Sequence, residues 1–355
     1  MDATPTDAPR RARLQPRQMY AFSMATQLGW EGNGPAGVRH ALDFFLAHHL
    51  RDDGLVRAVV APDGTCLDEG MVLYDQAFAL LGLSAAYQTF SEESLRERAL
   101  DLLGNLRARL GRPSGGLFER IPEPSIAGRL REPMCERPAG LLHTAPLLSN
   151  SHMHLLEATL AWADIDVDGP WLTLAQEIVE IALASMRCPP LGLVLEFFDE
   201  NWNPLQGIEG SVVEPGHQFE WAWLLMRWGR RVGDPRGLAA GLQLLELGER
   251  FGVDASRGVA VNAILSDGTH HHSQARLWPQ TERLKAAHLA AQITGDASHR
   301  AVAASATAAL SKYLATPLTG LWYDTMTADG QLIDKVVPAS SFYHLVCAIA
   351  ELERT

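Results

Sequence analysis

This chain is poor in cysteine, in long apolar runs and in positive charge. Four cysteines occur among 355 residues, at positions 66, 135, 188 and 347, and none forms a CxxC pair. They fit buried thiols in a reducing cytoplasm better than a disulfide framework. No apolar run approaches ~18 residues, so no membrane-spanning helix is expected. The start, MDATPTDAPRRARLQPR, lacks the apolar core of a signal peptide. Residues 1–16 read as a disordered lead. The formal net charge is −12. Nucleic acids and anionic membranes are bound through basic patches, so neither is an expected partner.

Apolar residues are plentiful. Hydrophobic residues make up 47% of the chain and charged residues 20%, enough for a sizeable core in a single domain over residues 17–355. Five segments open alike, at Gly54-Leu55, Gly116-Leu117, Gly192-Leu193, Gly258-Val259 and Gly320-Leu321. Four run on to a turn, such as Pro62-Asp63-Gly64 or Asp329-Gly330, and read as β-hairpins. The second leads into a Pro-rich loop. The spacings are 62, 76, 66 and 62 residues, and a near-fixed period marks a repeat architecture.

Helical patterns fill the intervals. Leu73–Tyr87, Met153–Trp162, His217–Trp228 and Pro279–Ile293 are apolar on most faces. Each is followed by a more amphipathic helix: Glu92–Arg109, Pro170–Met186, Pro235–Arg250 and Ala297–Tyr313. Met19–Gln27 and Ala36–His49 form an earlier pair, and Ser340–Leu352 a last helix. A helix buried all round alternating with one that shows a polar face suits an inner ring inside an outer ring. The expected fold is therefore all-α, an (α/α)6 toroid with short β-hairpins, the alternative being an open solenoid. Eleven helices leave the first outer position empty, upstream of Met19.

Polar residues interrupt the apolar helices at their starts. EPGHQFEWAWLL gives His217, Glu220 and Trp223; NSHMHLLEATLAW gives His152, His154 and Glu157; RLWPQTERLKAAH gives Trp278, Gln280 and Glu282; and FYHL gives His344. His217 and Glu220, like His154 and Glu157, are three apart and share a helix face. Imidazole titrates near neutral pH, and a carboxylate can fix its tautomer, which suits proton transfer. If the inner helices run parallel, these groups converge on one pocket.

These phrases resemble the N-acylglucosamine 2-epimerase family, which includes mannose isomerases and cellobiose 2-epimerases. The segment RQMYAFSMATQLGW is similar to the family's early Arg-containing helix. The resemblance implies an (α/α)6 barrel and two acid–base histidines, His217 and His344. It also implies supporting carboxylates at Glu220 and Glu282, pocket tryptophans at Trp223 and Trp278, a second HMH histidine at His154 and a sugar-binding arginine at Arg17. His217, His344 and Glu220 are the expected catalytic groups. Arg17, His154, Trp223, Trp278, Gln280 and Glu282 are the expected substrate contacts.

The implied reaction removes the proton beside an open-chain aldehyde. The enediolate formed needs fixed donors, a task for Arg17 and His154. Two bases on opposite faces give 2-epimerisation; one base shuttling a proton between carbons gives aldose–ketose isomerisation. Nothing in the pattern requires a cofactor or a metal, and His270-His271-His272 reads as a solvated loop. His152 reads as a brace, Cys347 as a buried thiol. A glycoside hydrolase, using Glu220 and Glu282 as its carboxylates, is the competing enzyme class. A sugar-binding relative without turnover is the third reading. Arg129, Arg131 and Arg137, in a Pro- and Arg-rich loop, are candidates to meet an acidic or phosphorylated sugar. The empty outer position predicts an exposed flank at Tyr20 or Phe22, a homodimer through that seam or poor solubility, and a mobile Arg17 at the open edge.

Overall fold

A computed structural model describes residues 7–120 and 145–354 of the chain. The first six residues of the lead, and the loop bearing Arg129, Arg131 and Arg137, lie outside the described residues. The described chain divides into two compact units, residues 7–120 with 145–181, and residues 182–354.

The first unit holds α1 (Leu14–Gln27), α2 (Gly34–His48), α3 (Leu73–Phe90), α4 (Glu93–Leu110), α5 (Ser149–Ile165) and α6 (Trp171–Ile181). The second holds α7 (Pro215–Val232), α8 (Pro235–Gly252), α9 (Leu277–Thr294), α10 (Ala297–Leu314) and α11 (Ser340–Glu353). Among the described residues there are thus eleven α-helices, at the places the apolar periodicity predicts.

The alternation of helix types follows from which faces are apolar. Helix α3 buries thirteen of its eighteen residues, so it has no solvent face. Helix α4 buries only Leu95, Ala99, Leu102, Leu103, Leu106 and Leu110. That stripe recurs mostly every three or four residues, and most of the rest of α4 is charged. Helices α7 and α8 repeat the contrast, as do α9 and α10. Asp234 and Asp296 cap α8 and α10, accepting from Arg236 N–H and Ser298 N–H. In the second unit, Leu277, Leu284, Tyr313, Met326, Leu345 and Ala348 share one core. Burying each leucine contributes about 1.5–3 kcal/mol.

The five hairpin glycines, 54, 116, 192, 258 and 320, all take φ between +71° and +86°. Side chains other than glycine rarely adopt that conformation, which explains why the repeat keeps the residue. A second repeated device ties each hairpin to the following apolar helix. The fourth residue of α3, α7 and α9 is Gln76, Gln218 or Gln280. Each side chain accepts from and donates to one hairpin residue, Val56, Val194 or Ala260, at 2.7–2.9 Å. In α5 the same place is taken by His152, which accepts from Leu117 N–H at 3.1 Å and donates to Leu148 O at 2.7 Å.

The expected lead is too long. Arg10–Arg11 pairs antiparallel with Val59–Val60, and α1 begins at Leu14. Arg13 anchors the start by its ion pair to Asp75 at 3.2 Å. Pro16 is tolerated because the first helical turn makes no use of its missing N–H. The three histidines are also not a loop. His270–His272 is a strand, paired with Ala263–Leu265, which in turn pairs with Val212–Val213.

Candidate active site

Helix α7 starts with Pro215 in its first turn, and His217 follows two residues on. Its imidazole is buried. His217 Nδ1 lies 2.9 Å from Glu196 Oε2, and Nε2 lies 3.9 Å from Glu214 Oε2. Glu196 is held in turn, because its Oε1 accepts from Glu214 N–H at 3.1 Å. Burial pulls the His217 pKa down. The charges of Glu196 and Glu214, the Glu196 hydrogen bond and the charge of Glu220 outweigh burial and raise the imidazole to about 10. The helix N-terminus disfavours a cation there, so the carboxylates supply the opposing field. At neutral pH His217 carries a proton.

Sequence spacing points to Glu220 as the partner of His217; the structure gives that bond to Glu196. Glu220 is buried one turn further along α7, and its charge acts on His217. A side chain three residues along a helix lies beside the ring, whereas the hairpin meets Nδ1 head-on. The signal for Glu196 was present in the sequence. It interrupts the apolar run Leu193-Val194-Leu195-Glu196-Phe197-Phe198, four residues after the hairpin glycine. Asn262 and Asp324 occupy the same offset in later hairpins, and each bonds the start of the next helix, at Arg276 N–H or Ser341 Oγ.

The second imidazole sits on α11. His344 Nδ1 is 2.9 Å from Glu282 Oε1, and Glu282 Oε2 accepts from Lys285 Nζ at 2.6 Å. Burial pushes Glu282 up, but the Lys285 charge and the His344 hydrogen bond outweigh it, so Glu282 stays below the ordinary carboxylate value. Trp278, on α9, lies close to both histidines. Its ring centroid is 5.1 Å from that of His217 and 5.6 Å from that of His344. Gly216 makes room for it, since a Cβ there would stand 2.4 Å from the Trp278 ring.

Two expected substrate contacts have other work. Gln280 is fully buried and spends its amide on Ala260 and the Arg276 carbonyl; it is a clamp, because an apolar helix start must satisfy the hairpin backbone beside it. Trp223 is buried beneath Lys285, whose Nζ lies 3.7 Å from its ring centroid. Lys285 itself, fully buried, was missed.

Arg17 and His154 belong to the first unit and meet there around two aromatic rings. Arg17 is 5% exposed; its Nη2 donates to Tyr74 Oη at 2.7 Å and its guanidinium lies 4.1 Å from the Phe78 ring centroid. It is therefore not an open edge, because the aromatic faces of α3 cover it. Tyr20 and Phe22 are only half-exposed, and Phe22 packs against Trp30. His154 packs on Tyr74 and Phe78, and its Nδ1 is 3.2 Å from Glu157 Oε2. Burial lowers His152 to about 4, against the Leu148 carbonyl, so it is a neutral brace.

Glu196, Glu214 and His217 bring one ligand atom each to within 4.8 Å of the others. Three such donors suit a divalent cation. A metal there would have to displace any proton on the imidazole.

Residues 1–348 match the family model described as N-acylglucosamine 2-epimerase (GlcNAc 2-epimerase). The chain belongs to the N-acylglucosamine 2-epimerase family. It is 38% identical over 365 residues to a mannose-6-phosphate isomerase of Rhizobium meliloti (strain 1021), an alignment covering 99% of this chain and 88% of that relative. Two solved structures share its fold with TM-scores of 0.84. One is a cellobiose 2-epimerase from Bacillus thermoamylovorans B4167, 18% identical; the other is a D-mannose isomerase, 20% identical. Each alignment covers 98% of this chain and 88% of the other. The all-α class of paired helices expected from the repeat is the fold these family members share. Among the described residues no helix is long and apolar enough to cross a membrane.

Proposed function

We propose that this chain is a sugar isomerase or 2-epimerase working at C1 and C2 of an open-chain, mannose-type aldose. The observation that carries the reading is the pair of buried imidazoles, each held at Nδ1 by a carboxylate and each close to the Trp278 ring. A carboxylate at Nδ1 fixes the tautomer and orientation of each ring, which suits proton transfer.

His217 already holds a proton at neutral pH, so His344 is the group to accept one. His344 takes the proton from C2. The C–H electron pair becomes the C1=C2 bond of an enediolate, and the aldehyde oxygen gains the negative charge. His217 returns a proton to the opposite face of C2, giving the epimer. Delivery to C1, with transfer of the O2 proton to O1, gives the ketose instead. Trp278 supplies an apolar face for the sugar carbons. Arg17 and His154 are proposed as sugar-binding residues on the family motif alone. A buried site strengthens each of these interactions.

The family and its isomerase relatives support this class over a glycoside hydrolase. Both oxygens of Glu282 are engaged, by His344 and Lys285, which leaves it poorly suited to protonate a glycosidic oxygen. A relative that binds sugar without turnover would give no exchange with solvent. The deciding experiment is a panel of aldoses, including mannose, glucose, N-acetylglucosamine and mannose 6-phosphate, incubated with the protein in heavy water. New sugars and deuterium at C2 support the proposal; bound but unexchanged sugar defeats it. A homodimer and a cytoplasmic location are further proposals, testable by light scattering and by fractionation.

A further inference from the structure

The carboxylate that holds His344 is itself held by a buried cation. Lys285 Nζ donates to Glu282 Oε2 at 2.6 Å, while Oε1 of the same carboxylate meets His344 Nδ1 at 2.9 Å. The side chains of Lys285 and Glu282 are wholly buried, and the ammonium rests on the Trp223 ring. Lysine is costly to bury, so an ammonium here needs both the carboxylate and the ring face. We propose that Lys285 is a positioning residue that makes His344 the proton acceptor, by cancelling the charge Glu282 would otherwise direct at the imidazole. This inference rests on the isomerase or epimerase reading of the site and adds the division of labour between its two histidines.

The charged groups facing His344 in this unit can be named. From α9 come Glu282 and Lys285. Near the start of α11, Asp324 holds Ser341, with Arg276 at 3.7 Å and Lys335 at 3.9 Å from its carboxylate. On α11 itself Glu351 pairs with Arg354 at 3.2 Å. Also beside Trp278 is His217, with Glu196, Glu214 and Glu220. Lys285 is the cation bonded directly to the carboxylate that touches His344. A carboxylate relieved of its charge by a cation still accepts the Nδ1 proton and fixes the tautomer. It no longer draws a second proton onto Nε2. The two roles of Glu282, orienting and charging, are thereby separated.

The test follows the imidazole titrations by NMR, with turnover measured in parallel. In Lys285→Met the His344 midpoint should rise by about one pH unit or more. The acid limb of kcat against pH should move up with it, while KM changes little. Neutral-pH kcat should fall roughly tenfold. Removing the carboxylate charge should do the reverse: Glu282→Gln lowers the His344 midpoint, and Glu282→Gln with Lys285→Met restores it toward the wild type. The double variant removes both charges of the buried pair and serves if Lys285→Met alone does not fold. An unchanged His344 midpoint in folded Lys285→Met overturns the proposal, as does equality between the double variant and Glu282→Gln. The NMR readout stands apart from turnover. If no sugar is converted but the midpoints move as stated, the reaction assignment fails and the Lys285 role stands.

Discussion

Glu196 and His217 are twenty-one residues apart in the chain and share a buried hydrogen bond of 2.9 Å. The bond joins a hairpin to the first turn of a helix. Replacing Glu196 with Gln should keep the bond and remove the charge. His217 would then lose its largest source of proton affinity, and its midpoint should fall from about 10 toward neutral. A histidine raised on folding contributes stability that is fully present below its unfolded pKa and is lost as pH rises through the folded value. Wild-type stability should therefore decline between about pH 6.5 and 10. Urea unfolding across that window should show the decline in the wild type and a shallower one in Glu196→Gln. Parallel curves would contradict the charge account.

Gly216 stands where Trp278 needs space. A methyl at that position would meet the indole at 2.4 Å. Gly216→Ala should displace Trp278 and cost about 1–3 kcal/mol of stability. Because Trp278 lies against both imidazoles, KM for the sugar should rise and kcat should fall by about tenfold. A variant with wild-type kinetics would remove Trp278 from the site.

Gln280 separates a clamp from a substrate contact. Its amide serves Ala260 and Arg276. Gln280→Ala should lower stability by about 1–3 kcal/mol, because buried backbone groups are left unsatisfied. Sugar KM should stay within about twofold of the wild type, since a clamp is not expected to contribute binding energy at the transition state. A large rise in KM with unchanged stability would return Gln280 to the substrate.

Chelation tests the cluster of Glu196, Glu214 and His217. With a proton held on the imidazole, exhaustive EDTA treatment should leave turnover unchanged. Loss of activity, restored by one divalent ion, would show that a metal displaces that proton.

Much of this organisation could be read from the sequence, for identifiable reasons. The helices were legible because α3 and α4, or α7 and α8, differ in how many faces are apolar. The hairpins were legible through glycines that need positive φ. His217, His344, Trp278 and Glu282 stood out because polar or aromatic groups open otherwise apolar helices. Glu196 was not recognised, since its partner His217 lies on another element; Lys285 was passed over although Glu282 stands three residues before it on α9. Helical spacing favours the neighbour three residues away, and so it offered Glu220. Gln280 could be read either way, because a buried amide looks the same in sequence whether it holds sugar or backbone. The pairing of Arg10–Arg11 with Val59–Val60 left no hydrophobic alternation to detect.

The central claim is that His217 and His344 move the C2 proton of an aldose. The most direct measurement is deuterium incorporation at C2 in heavy water, followed by NMR, for the wild type, His217→Ala and His344→Ala. The wild type should label C2 and form a new sugar. Each variant should fold normally by circular dichroism and lose about 10²–10⁴-fold in rate. Labelling at wild-type rate in either folded variant, or none by the wild type with any aldose of the panel, would contradict the account.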